Sequence, residues 1–284
     1  MVSKVLHFSE IIFDKFQEIW ENPKFNKIIS NILVFIFVIS IIISYLDRNK
    51  IISLGRLDDF FSNPFFAIEI AFTLLLILEL LSLIFILPKS VAQSVNKQFE
   101  VLSLIFIRYG FKEISHIRDF NWDTMTDSLT SLIAYAVGSL ILFVIVGFIS
   151  RMQKHTKLTE SEDDQSEFIQ TKKLLALMLL IAFIGIGVYD SSVLIKTSIY
   201  HHSFHIFYTV LIFSDIIIVL IALRYTLNYL KIFRYSAFVL ATLLIRISLT
   251  APPFYNAIIG VSSALFILLL TFFYNYFLDD LADS

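Results

Sequence analysis

Long apolar runs separated by short polar connections dominate the chain. Seven of them, 28–46, 65–87, 129–149, 174–190, 206–228, 235–251 and 254–278, reach or approach the length needed to cross a hydrocarbon core as a helix, about 20 residues. An eighth stretch, 91–108, is divided. Gln93, Asn96, Lys97, Gln98 and Glu100 occupy its first half, and Val101 to Ile107 is apolar before Arg108. Hydropathy alone reads it as a surface or re-entrant helix. The basic residues read it differently. With seven crossings, Lys and Arg divide evenly between the two sides. With 91–108 crossing as well, they gather on the side of both termini, the bias expected of cytoplasmic loops. The expectation is an all-α polytopic transmembrane helix bundle of seven or eight crossings, eight preferred. Both termini are then cytoplasmic and the location is the cell membrane.

Residues 1–27 precede the spans. Val5, Phe8, Ile12, Phe16 and Ile19 recur at helical spacing, while Lys4, His7, Glu10, Asp14, Lys15 and Glu18 lie largely off that stripe. Asn22-Pro23 ends the pattern. Acids stand among the basic residues and no short apolar core precedes a cleavage site, so this is not a secretory signal. It reads as an amphipathic helix in the membrane interface, with docking to a partner as the alternative. The remaining organisation is an N-terminal transmembrane bundle (28–149), a charged cytoplasmic linker (150–173) and a C-terminal transmembrane bundle (174–284). The halves show no residue-level repeat, so an inverted-repeat transporter is not indicated.

Composition reinforces the pattern. Of 284 residues, 57% are apolar and 16% charged, against roughly 45–50% and 25% in an ordinary soluble domain. A formal net charge of −2 gives no basic surplus for nucleic acid. With no cysteine there is no disulfide, thiolate metal site or thiol nucleophile. The expected partners are the lipid bilayer and either a membrane protein or a second copy of the chain. No cofactor is expected.

Candidate chemistry lies in the residues that are costly inside lipid. A charge at the bilayer centre costs about 2.5–3.5 kcal/mol on insertion scales. Glu79, Asp215 and Arg246 are the deepest, and Glu69 lies nearer a span end. Asp215 and Arg246 fall on consecutive spans at similar depth. Thr242, Arg246 and Thr250 recur at four-residue spacing on one face, and Tyr208 shares a face with Asp215. The expectation is an Asp215–Arg246 pair facing the bundle interior. His201 and His205 in an H-H-x-x-H cluster have zinc-compatible spacing, yet the acid of the metalloprotease motif is absent. Tyr189-Asp190 matches one motif of intramembrane aspartic proteases, but Phe213-Ser214 stands before Asp215 where their second motif has glycines. No other catalytic signature is present, so an enzyme is not the favoured reading. The favoured one is movement of an ion or small polar solute past Asp215, Arg246, Glu79, Glu69, Thr242, Thr250 and Tyr208. The rival is a non-catalytic membrane subunit or scaffold whose buried charges only fix helix packing.

Overall fold

The computed structural model describes residues 2–49, 65–116, 122–153, 162–197, 204–225 and 228–282. Among these the fold is all-helical, with nine helices and no strand: α1 (Val2–Glu21), α2 (Pro23–Arg48), α3 (Phe65–Ile86), α4 (Val91–His116), α5 (Trp122–Met152), α6 (Glu162–Thr197), α7 (Phe204–Tyr225), α8 (Tyr229–Thr250) and α9 (Pro253–Ala282).

The breaks follow from local chemistry. Asn22 caps α2, accepting from the Lys24 N–H at 2.9 Å, with Pro23 in the first turn, where its missing N–H costs nothing. Asn228 caps α8 in the same way, accepting from Leu230 and Lys231. Pro88 follows the end of α3. The extended Ala251 ends α8, and Pro253 opens α9.

Among the described residues, five helices are long and apolar enough to cross a membrane: Pro23–Asp47, Ser128–Met152, Asp164–Val193, Tyr229–Thr250 and Pro253–Phe277. Ile70–Ile86 and Thr209–Ala222 are shorter apolar helices. In α2 only 11% of the apolar window is buried, against 39% in α5, α8 and α9. α2 therefore stands at the periphery with its apolar surface outward, as lipid-facing helices do.

The hairpins α4–α5, α6–α7 and α8–α9 are antiparallel. α6 and α7 meet at Phe168–Tyr225 and at Phe183–Phe207. α8 and α9 meet where Ser248 donates to the Asn256 carbonyl at 2.8 Å and where the Arg234 guanidinium covers the Tyr274 ring. α4 follows α5 from end to end. Gln153 donates to the Ala92 carbonyl at one end, and at the other Gly110 lies against Leu132. Ala92 to Gly110 spans about 27 Å of helix. The divided helix is thus no surface element. It packs against α3, α5, α8 and α9, and Phe99, Leu102 and Phe106 are wholly buried.

Small residues permit this packing. A Cβ at Gly260 would lie 2.9 Å from Phe106 Cζ and 3.0 Å from both Leu102 Cδ2 and Ser248 Oγ. Gly138 is nearly as tight, 3.2 Å from Ala257 Cβ. Close approach through small residues is how helices gain contact where lipid supplies no hydrophobic drive.

α1 lies across one end of the bundle, against α2 and α6. Its docked face is Leu6, Ser9 and Phe13 with half-buried Trp20, and Trp20 stacks on Phe85 at 5.3 Å. The expected stripe is set one residue back, about 100° around the helix. Phe8, Phe16 and Ile19 of that stripe are exposed and Ile12 is half-buried; the Val5 side chain lies outside the described residues. The helix therefore has two apolar faces, one spent on the bundle and one open. Ion pairs fix its middle and its C-terminal end: Lys173 bridges Glu10 and Asp14, and Lys89 reaches Glu21 at 2.6 Å. The hydrogen bond from Lys173 holds the Glu10 carboxyl below its ordinary 4.5, as do the bonds from Gln17 and Lys89 for Glu21. The later part of the 150–173 connection is already helical, because α6 begins at Glu162. Residues 154–161 lie outside the described residues.

Candidate functional site

The first half of α4 carries a polar sequence into an apolar bundle, and three consecutive polar side chains on it meet three different helices. Asn96 Nδ2 donates to Ser150 Oγ of α5 at 2.7 Å. Lys97 Nζ lies 2.6 Å from Glu79 of α3 and 2.8 Å from Glu100. Its contact with Glu79 Oε2 is an ion pair off the hydrogen-bond axis, since that oxygen has no aligned donor. Gln98 Nε2 donates to Asp215 Oδ2 of α7 at 3.1 Å. Three consecutive residues thus tie α4 to α5, α3 and α7, because successive helical positions point about 100° apart.

Asp215 is the most deeply placed of these groups. It is 4% exposed and stands ten residues, about 15 Å, from the Tyr225 end of α7. The Thr242 hydroxyl of α8, itself buried, is in hydrogen-bonding reach of the carboxyl. That hydroxyl also faces the Phe238 carbonyl at 3.1 Å.

The expected Asp215–Arg246 pair is not formed. The antiparallel register sets Thr242 opposite Asp215. Arg246 lies one turn, about 6 Å, further along α8 and is half-buried. Asp215 takes its hydrogen bond from an amide, and among the described residues no cation pairs with it. Thr250 also leaves the shared face: it is exposed, and its hydroxyl donates to its own helix at the Ile247 carbonyl, 3.0 Å away. Of the predicted residues, Asp215 and Thr242 come together, and Glu79 joins the same polar layer through Lys97. The side chains of Glu69, Tyr208 and His205 lie outside the described residues, as does all of His201. Among the described residues no group of three His, Cys, Asp or Glu side chains could hold a metal ion.

A small cavity adjoins the layer. It measures about 10 Å³ and is lined by Leu80, Leu83, Gln98, Leu102, Ile245 and Leu249 among others. That is room for about one water molecule, and Gln98 is the polar group on its wall.

Two buried cations complete the electrostatics. Arg234 is 7% exposed, with its guanidinium 4.3 Å over Tyr274 and 5.4 Å from Phe238. Lys172 sits 4.9 Å over Phe168. Aromatic faces offset part of the cost of burying these charges. Arg224, near the end of α7, lies 3.8 Å from Glu167.

The sequence reading passed over Gln98, Lys97, Arg234 and Lys172 as site residues. For the first two the signal was present: the polar residues that made 91–108 a doubtful span are the ones that form the layer.

Comparisons with protein-family models, with curated proteins and with solved structures gave no match.

Proposed function

We propose that the chain is a multi-pass integral membrane protein of eight crossings that moves an ion or small polar solute, with Asp215 at the centre of the route. The observation that carries this reading is the buried Asp215 carboxyl, bonded to an amide, with a hydroxyl in reach and, among the described residues, no cation beside it. A lone charge inside an apolar bundle must be offset. Either a proton or a passing cation does so, and each amounts to binding an ion. α4 supports the eighth crossing because it matches α5, an apolar helix of spanning length, over its full packed length. The open face of α1 supports a seat in the membrane interface, continuous with the outward apolar surface of α2. Lys24, Lys27, Lys89, Arg151, Lys173 and Lys231 gather at the end where α1 lies, which supports that end as cytoplasmic.

Flux measured in proteoliposomes tests the reading. Wild-type chain is expected to pass the ion and Asp215→Asn to abolish it; equal flux from both contradicts a route through Asp215.

A second reading, a membrane scaffold or subunit, is favoured by one feature. The Glu79–Lys97–Glu100 and Asn96–Ser150 contacts interlock α3, α4 and α5 as register-fixing pairs would. A protein that always purifies with another subunit and shows no flux favours this second reading.

A further inference from the structure

We propose that the ion handled at Asp215 is a proton, taken up and released by its carboxyl, and not a metal cation. The inference deepens the reading of Asp215 as the ion site and rests on it. The oxygen atoms available to the ion decide its class. A desolvated metal cation needs a cage of oxygens, and intramembrane cation sites commonly obtain them from helices that unwind and free their carbonyls. Here α4, α7 and α8 run unbroken past Gln98, Asp215 and Thr242. Their backbone carbonyls are therefore committed within the helices. Gln98 presents its NH₂ group to the carboxylate, and turned about it would offer a cation a single oxygen. Ser214, next along α7, spends its hydroxyl on the Val210 carbonyl at 3.0 Å. Even with Gln98 turned, the side-chain oxygens in reach are one carboxylate, one hydroxyl and one amide oxygen, too few for a cation's cage, and the cavity lined by Gln98 has room for about one water.

A proton needs no cage, and both partners of Asp215 can reverse their roles. With the carboxyl ionised, Gln98 Nε2 donates to Oδ2 and the Thr242 hydroxyl can turn toward the carboxylate. When water delivers a proton to Oδ2, the new O–H donates to Gln98 Oε1 after the amide rotates, and the Thr242 hydrogen returns to the Phe238 carbonyl. Loss of the proton to water reverses both turns. The charged neighbours, Arg246 apart, are otherwise engaged. α6 brings Lys172, over the Phe168 ring, and Glu167, beside Arg224 of α7. α8 brings Arg246 one turn away and Arg234 against Tyr274. On α4, Lys97 is held by Glu79 and Glu100.

Infrared difference spectroscopy of the full chain in lipid nanodiscs, between acidic and alkaline buffer, tests the inference. The expected result is a protonated-carboxyl C=O band that appears on acidification, is lost in Asp215→Asn, persists shifted in Asp215→Glu, and moves in Gln98→Leu. A spectrum in which Asp215→Asn removes no such band overturns the proposal. So does retention of radiolabelled sodium that is lost in Asp215→Asn. A band that behaves as expected in a protein without flux would uphold the proton site and refute transport, so the two failures are distinguishable.

Discussion

The Gln98 amide and the Asp215 carboxyl, 117 residues apart in sequence, share a 3.1 Å hydrogen bond in the buried interior. Through it α4, whose first half is polar, is tied to the deepest acid of the C-terminal bundle. Removing the donor leaves a buried acceptor unsatisfied, a loss of about 1–3 kcal/mol. Gln98→Leu should lower the thermal midpoint in detergent accordingly. Replacing both partners with apolar residues removes the unmet need as well. Gln98→Leu with Asp215→Leu should therefore recover most of the loss. A Gln98→Leu variant as stable as wild type would mean that the bond is not made.

Glu79 and Lys97 form a partly buried ion pair at 2.6 Å, with Glu100 sharing the ammonium. Lys97→Met strands Glu79 and should cost about 1–3 kcal/mol, between the values for exposed and fully buried pairs. Glu79→Gln in the Lys97→Met background should cost less than it does alone. A double-mutant cycle by thermal unfolding reads the coupling; additive effects would show that the two groups do not interact.

The helix boundaries were legible because they rest on local chemistry: Asn22-Pro23, Leu87-Pro88 and Ala251-Pro252-Pro253 each interrupt a helix where expected. The depth of Asp215 was legible from its place within an apolar run. Its partner was not. Periodicity gives the face of a helix but not its rotation against a neighbour, and one turn of register separates Thr242 from Arg246. The same limit hid a second apolar face on α1. The stripe through Phe8 and Phe16 stays open, and the bundle is contacted by the stripe one residue along, through Leu6 and Phe13. Polar residues on α4 argued against burial when counted singly. Their partners, Ser150, Glu79 and Asp215, lie on three other helices, which a linear reading does not bring together.

Glycines divide by surroundings. A Cβ at Gly260 meets Phe106, Leu102 and Ser248 at 2.9–3.0 Å, whereas Gly185 and Gly187 have nothing within 4 Å. Gly260→Ala should destabilise by about 1–3 kcal/mol through overpacking. Gly185→Ala should be neutral or slightly stabilising, since alanine favours the helix. Thermal midpoints of the two variants, compared with wild type, check the contrast; equal midpoints would contradict the close α4–α8–α9 contact.

Acid should release α1. Glu10 is held below its ordinary 4.5 by the Lys173 hydrogen bond, and Glu21 by those from Gln17 and Lys89. A depressed carboxyl contributes docking stability that is complete above the ordinary value and is lost as pH falls through the lowered one. Docking should hold at neutral pH and weaken below about 4.5. Trp20 fluorescence in a Trp122→Phe background reports it through the stacking on Phe85. Glu10→Gln should shift the midpoint or remove the first step, and a signal unchanged into strong acid would contradict the anchoring.

The polar layer is intramembrane only if α4 crosses. The chain has no cysteine, so single cysteines placed at Lys89 and His116, on either side of α4, can be probed with a membrane-impermeant thiol reagent in sealed, oriented vesicles. The account predicts that the two positions label from opposite sides. Labelling of both from the same side would contradict it.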